Sequence, residues 1–306
     1  MTAQNLSDKY LLNGSPYIKE TDVPVSFLVY RKMPVLSSLP ESLVLPCIVI
    51  MIIIKEYEFE IWRITMKETD TILEEEYLTC ERRHVFFILM GVAGFFGAFT
   101  YSIRGGIFCN AQTANFVLFA MALGNARWKH ALYFLVPMSA YFLGAVLSEA
   151  LPSSIKKLQF IRWDTLFILI EMLVVVFLGI LPESAPVQIS QVAINFICSM
   201  QYNTFRQARS VPMATTFCTN HWRQVAIALT KAVRHRDTSY LPRMSQHLCM
   251  LLVFVTGGVI STILCNLFLG RAIFAALIPL MVVFIDLAYA DLKREKGSLG
   301  RIPHGH

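Results

Sequence analysis

The chain has 306 residues, 55% of them hydrophobic and 16% charged, with a net charge of +6. That is too oily for an ordinary soluble domain, in which charged residues make up about 25%. The basic residues lie in short loops rather than on one continuous face, which excludes a nucleic-acid-binding surface.

The first 83 residues differ from the rest. Met1–Ser42 is mixed and polar, with Pro16, Pro24, Pro34 and Pro40 interrupting any helix. Leu43–Ile54 is apolar but only twelve residues long, short of the roughly 20 that cross a bilayer. Lys55–Arg83 is charged, with an acidic run at Glu74–Glu76. Residues 1–83 therefore read as an atypical N-terminal extension, and Met66 is a second candidate start. Peptides from upstream of Met66 would exclude that start.

From His84 the pattern changes. His84–Tyr101 is a first predicted span, with Gly91, Gly94 and Gly97 spaced three apart for close helix packing. A polar knot follows, Arg104–Asn115 (RGGIFCNAQTAN), then an apolar stub, Phe116–Leu123, that would cover about 12 Å at 1.5 Å per residue. His130–Leu151 and Trp163–Leu181 are the second and third spans. Val187–Asn203 is a more polar fourth span. It leads to a second knot, Val211–Gln224 (VPMATTFCTNHWRQ), and a shorter stub, Val225–Leu229. His247–Leu269 and Arg271–Ala288 are the fifth and sixth spans, before a basic tail over residues 293–306.

The order of elements repeats: span, knot with stub, basic loop, two spans. It divides the membrane region 84–292 into halves 84–181 and 187–290, and duplicated halves are common in transporter folds. Basic residues gather on the cytoplasmic side of membrane proteins. If both stubs cross, giving eight spans, twelve Lys and Arg fall inside and seven outside; if both re-enter, fifteen fall inside and only Arg104, Arg127, Lys129 and Arg271 outside. The sequence thus predicts an all-α polytopic membrane protein with six spans, eight being the alternative. Two re-entrant knots face opposite sides, and both termini are cytoplasmic.

The segments RGGIFCNAQTAN, SMQYNTFR and TTFCTN resemble signature segments of the YoaK-like bacterial membrane proteins, a family of unknown function, over about residues 83–292. The family typically has Thr-Gly-Asn in both knots. Here the knots read Thr113-Ala114-Asn115 and Thr219-Asn220-His221, so the glycine is missing twice. The matching positions are Asn110, Thr113, Asn115, Gln201, Thr215, Thr216 and Thr219. The resemblance implies a polytopic helical fold in the bacterial cytoplasmic membrane and no established substrate.

Candidate site residues follow from polarity at membrane depth. Glu171 sits mid-span, where a charged, unpaired carboxylate costs about 3 kcal/mol, so it is a proton carrier, a solute contact or a protonated interhelical hydrogen bond. Half-helices starting at Thr113 and Thr219 would aim free N–H groups inward, suiting an anion or a dehydrated polar solute. Alternatively Asn110, Gln112, Asn115 and Asn220 cap and stitch kinked helices. Arg223 reads equally as an anion contact or a snorkelling side chain, and Arg104 reads as snorkelling. His221 reads as a lone hydrogen-bonded histidine, and Asp286 as interfacial.

Seven scattered cysteines show no CxxC spacing, and no hydrolase, Walker or dinucleotide motif is present. No enzyme, cofactor or metal is expected. The expected function is a small secondary transporter or channel-like permease for a small polar or anionic solute and protons, working in the lipid bilayer. Asn110, Thr113, Asn115, Glu171, Gln201, Thr215, Thr216, Thr219 and Arg223 would lie along its pathway. The alternative is a membrane scaffold or partner-binding protein without transport.

Overall fold

The computed structural model describes residues 77–155, 161–209 and 211–304. The readings of Leu43–Ile54 and Met66, and Lys156 and Lys157 of one basic loop, lie outside the described residues. What is described is all-α except for one two-residue antiparallel pair, β1 (Gln207–Ala208) and β2 (Val211–Pro212), in which Gln207 faces Pro212 and Ala208 faces Val211.

Helix α1 (Arg83–Ile103) is apolar from Val85 to Phe99 and stops at Arg104. The next two residues, Gly105 (φ +83°) and Gly106 (φ +71°), hold left-handed backbone that side chains rarely adopt, and they turn the chain into the first knot. The first stub forms α2 (Gln112–Gly124), and α3 (Trp128–Ile155) follows. Helix α4 (Trp163–Ile180) ends at Leu181, which Pro182 keeps extended. Helix α5 (Val187–Thr204) begins behind Pro186.

The second stub differs from expectation: instead of a short apolar piece, α6 runs over Thr219–His235. Its charges at Lys231 and Arg234 suggest a loop in the sequence, but at helical spacing they are one face of an amphipathic helix. Arg236, in the left-handed region, ends it. Helix α7 (Leu241–Phe268) carries Pro242 in its first turn, where the missing N–H is harmless. Leu269 (φ +50°) breaks α7 from a 3-10 stretch (Leu269–Ala276), and α8 (Leu277–Tyr289) follows.

Among the described residues four helical stretches are long and apolar enough to cross a membrane: Arg83–Ile103, Trp128–Leu151, Trp163–Ile180 and the run Thr238–Arg294, which contains both α7 and α8. Helix α5, the predicted fourth span, is too polar to be among them. Phe142 on α3, Ile180 on α4 and Ile278 on α8 are each about 70% exposed, the outward apolar surface of a helical membrane protein.

Two crossings organise the packing. Helix α7 lies on α1, and α3 lies on α5. Both approach at glycine. A Cβ added at Gly257 would stand 2.0 Å from the carbonyl oxygen of Gly91, one at Gly94 would stand 2.0 Å from that of Phe254, and one at Gly144 would stand 2.4 Å from that of Phe196. Helix α2 packs on α3, α6 on α7, and α8 on α4. The core between them is aromatic, with Phe86 and Phe205 edge to face at 6.2 Å and Phe96, Phe99 and Phe167 fully buried.

The basic tail is held rather than loose. Buried Arg162, at the start of α4, donates to Asp164 (3.2 Å) and to the carbonyls of Ser298 (3.4 Å) and Arg301 (3.1 Å). Burial disfavours its charge, but neighbouring Asp164 more than offsets this and holds the guanidinium above its ordinary pKa. Buried Glu81 accepts from the main-chain N–H of His304 (2.8 Å), and Glu295 accepts from the N–H and hydroxyl of Thr79. The segment before α1 and the tail thus close one end of the helix bundle together.

Candidate functional site

Neither knot is a side-chain helix cap: Ala111 and Cys218, the N-caps of α2 and α6, make no side-chain capping bond. Both knots are instead closed by a side chain in the following helix that reaches back seven residues. In the first, buried Asn115 accepts from the N–H of Phe108 (3.3 Å) and donates to the carbonyl of Phe108 (2.7 Å). In the second, buried His221 donates through Nε2 to the carbonyl of Ala214 (2.7 Å). These are the two positions that follow Thr113-Ala114 and Thr219-Asn220 in the sequence.

Each knot is also tied to α5. Gln191 donates to the carbonyl of Arg104 (2.6 Å) and to the Tyr133 hydroxyl. Asn195 accepts from Gln112 (2.7 Å), which also meets Asn115 (3.2 Å). Gln201 donates to the carbonyls of Thr215 (3.2 Å) and, on α1, Leu89 (3.3 Å). Asn110 donates to the carbonyl of Ala93 (3.1 Å), so the first knot is stitched to α1 as well. Part of the polarity that makes α5 a weak span is therefore engaged by the knots: the amide nitrogens of Gln191 and Gln201 meet main-chain carbonyls there, and Asn195 meets the side chain of Gln112.

Some of the chemistry is left over. Both carboxyl oxygens of fully buried Glu171, Oε1 of Gln191 and Gln201, and the hydroxyls of Ser199, Thr215 and Thr216 have no hydrogen-bond partner among the described residues. The glutamine oxygens are unspent in a defined sense, because each amide nitrogen faces a carbonyl and so fixes which end is oxygen. Glu171 on α4 is within electrostatic reach of Cys198 on α5, one turn from Gln201, and the free thiol of Cys198 is hydrogen-bonded to the free thiol of Cys109 in the first knot. Each unsatisfied buried polar group costs about 1–3 kcal/mol. Among the described residues these groups lie on α4, along α5 and in the second knot.

Of the predicted site residues, Asn110, Asn115, Glu171, Gln201, Thr215 and Thr216 are buried. Thr113, Thr219 and Arg223 lie instead on the exposed faces of α2 and α6, where Arg223 donates to Asn220 (3.0 Å). Arg104 does not snorkel. It is 4% exposed, donates to Glu183 (3.1 Å) and lies over the Phe99 ring. Glu183 also accepts from the N–H of Gly270 (2.7 Å), joining the first knot to the break after α7. Asp286 meets His84 (2.8 Å) and Arg294 (2.6 Å).

His221 is not alone: its Nδ1 lies 2.9 Å from Nδ1 of His247 on α7. Neither His247 nor Gln191 stands out in the sequence, because their partners lie 26 and 87 residues away. Beside the second knot, Tyr202, Asn203, Arg206, Met213, Ala214 and Asn220 help line a cleft of about 490 Å³. Among the described residues no three His, Cys, Asp or Glu side chains gather as a metal ion would require.

Comparison with curated proteins and with solved structures gives no match. A family model does match, over residues 85–285, two-thirds of the chain and the stretch that holds both knots. The chain belongs to the family described as Protein of unknown function (DUF1275).

Proposed function

We propose that this protein is a small secondary transporter or channel-like permease for a small polar or anionic solute, in the bacterial cytoplasmic membrane and of YoaK-like type. In this reading it makes six crossings in two inverted halves, 84–181 and 187–290, with both termini cytoplasmic. Helices α2 and α6 re-enter from opposite sides, and Glu171 carries a proton or contacts the solute.

The observation that carries the reading is the set of buried polar groups without partners among the described residues. Glu171, Gln201, Thr215 and Thr216 hold unpartnered polar atoms inside an apolar bundle, a cost that a membrane protein sustains where a pathway needs it. Two further observations support paired halves. The reach from Asn115 to Phe108 matches that from His221 to Ala214, and the α1–α7 crossing through Gly257 matches the α5–α3 crossing through Gly144. Discontinuous helices at paired positions are the form transporter sites take.

The test is a shrink–swell assay on liposomes holding the purified chain, with urea, glycerol, formate and chloride as probe solutes. The reading predicts that at least one solute equilibrates faster than in protein-free liposomes, and that Glu171→Leu or Thr216→Val removes the gain. If no solute moves faster, the scaffold reading stands in its place.

A further inference from the structure

The partners of His221 fix the protons on both imidazoles. A carbonyl only accepts, so Nε2 of His221, facing the Ala214 carbonyl at 2.7 Å, carries a proton. In the neutral ring Nδ1 is then a lone pair. His247 Nδ1, 2.9 Å away, must donate into it. The remaining nitrogen, Nε2 of His247, is left as a bare lone pair, buried and without a partner among the described residues.

We propose that the His221–His247 pair is a binding site for a single proton, taken up at Nε2 of His247, where the second knot meets α7; it rests on the permease reading only in that this proton would be the coupling ion. A proton there changes no heavy-atom geometry. His247 becomes an imidazolium whose Nδ1–H still donates to His221, now as a charge-assisted bond. A second proton could enter only at Nδ1 of His221. It would set two N–H groups against each other across the 2.9 Å contact and part the knot from α7.

The charged side chains placed beside the pair among the described residues are cationic, and they oppose each proton it takes up, the first at His247 as well as the second. Arg243, one turn earlier on α7, acts on His247 and donates to Gln224 of α6 (3.3 Å). Arg83, at the start of α1, faces Gln246 beside it. The cleft reaches Ala214, whose carbonyl holds His221, so water can approach this end of the knot.

The test uses the purified chain with ¹⁵N-labelled histidine, titrated between about pH 8 and pH 4, the range that brackets histidine. Of the seven histidines, the pair is assigned by loss of signals in His247→Gln. If that variant does not fold, nitrogen–nitrogen coupling across the shared hydrogen bond in the wild-type chain assigns it instead. The proposal predicts one ring with a bare Nε2 at high pH, uptake of one proton there, and coupling that persists through that step. It is overturned if both rings carry Nε2–H at high pH, if no proton enters over the range, or if two enter together. Flux plays no part in this readout. A chain that binds the proton but moves no solute would sink the permease reading alone, and a transporting chain with no shared proton would sink this one alone.

Discussion

Replacing Gly257 by alanine probes the crossing on which the bundle depends. The new Cβ would stand 2.0 Å from the Gly91 carbonyl oxygen and 2.9 Å from its carbon, and both atoms are backbone. No side chain can rotate away, so α7 must lift off α1 by more than 1 Å to reach ordinary contact. Overpacking a tight interior costs about 1–3 kcal/mol, and a backbone clash belongs at the upper end. For a domain of this size each kcal/mol lowers Tm by about 2–4 °C, so a fall of about 6–12 °C is expected. The assay is thermal unfolding in a fixed detergent, followed by the loss of the monodisperse gel-filtration peak. Gly124→Ala is the control, because a Cβ there meets nothing within 4 Å. If Gly257→Ala unfolds within about 1 °C of the parent, well inside the predicted shift, α1 and α7 do not cross as described.

Other perturbations separate the remaining parts. Glu171→Met removes a buried carboxyl without a partner and is expected to raise stability by about 1–3 kcal/mol while abolishing solute flux; reduced stability would mean that the carboxyl is paired after all. Asn115→Leu leaves the N–H and carbonyl of Phe108 unmet and should cost about 2–4 kcal/mol, read as a lower Tm; an unchanged Tm would show that Asn115 does not close the first knot. Arg162→Lys keeps the charge but cannot reach the Ser298 and Arg301 carbonyls together, so trypsin should cut faster at Lys296 and Arg301; equal rates would place the anchor of the tail elsewhere.

Much of this was legible in the sequence because it rests on local pattern. Apolar blocks of span length became α1, α3 and α4, and Gly94, one of the three spaced glycines of the first span, marks the α1–α7 crossing. The knots stood out because polar residues in such a setting must be bonded or wet. Pairings across the chain were not legible. Arg104 reads as a snorkelling cation until Glu183, 79 residues on, is brought beside it. His221 reads as a lone histidine until α7 delivers His247. Likewise the glutamines of α5 look like defects in a span, and only the fold reveals the main-chain groups they satisfy. Helix α6 was missed for a different reason: its lysine and arginine residues resemble a basic loop, and only helical spacing gathers them on one face.

The most direct test of the central claim, that the two knots open to water from opposite sides, uses the thiols they already contain. Cys109 lies in the first knot, fully buried, and Cys218 in the second, half-buried. With Cys47, Cys80, Cys198, Cys249 and Cys265 replaced by alanine, intact cells and inverted vesicles are treated with a membrane-impermeant maleimide. The account predicts that Cys109 is modified from outside and Cys218 only from the cytoplasmic side. Modification of both thiols from one side, or of neither by any reagent, would contradict it.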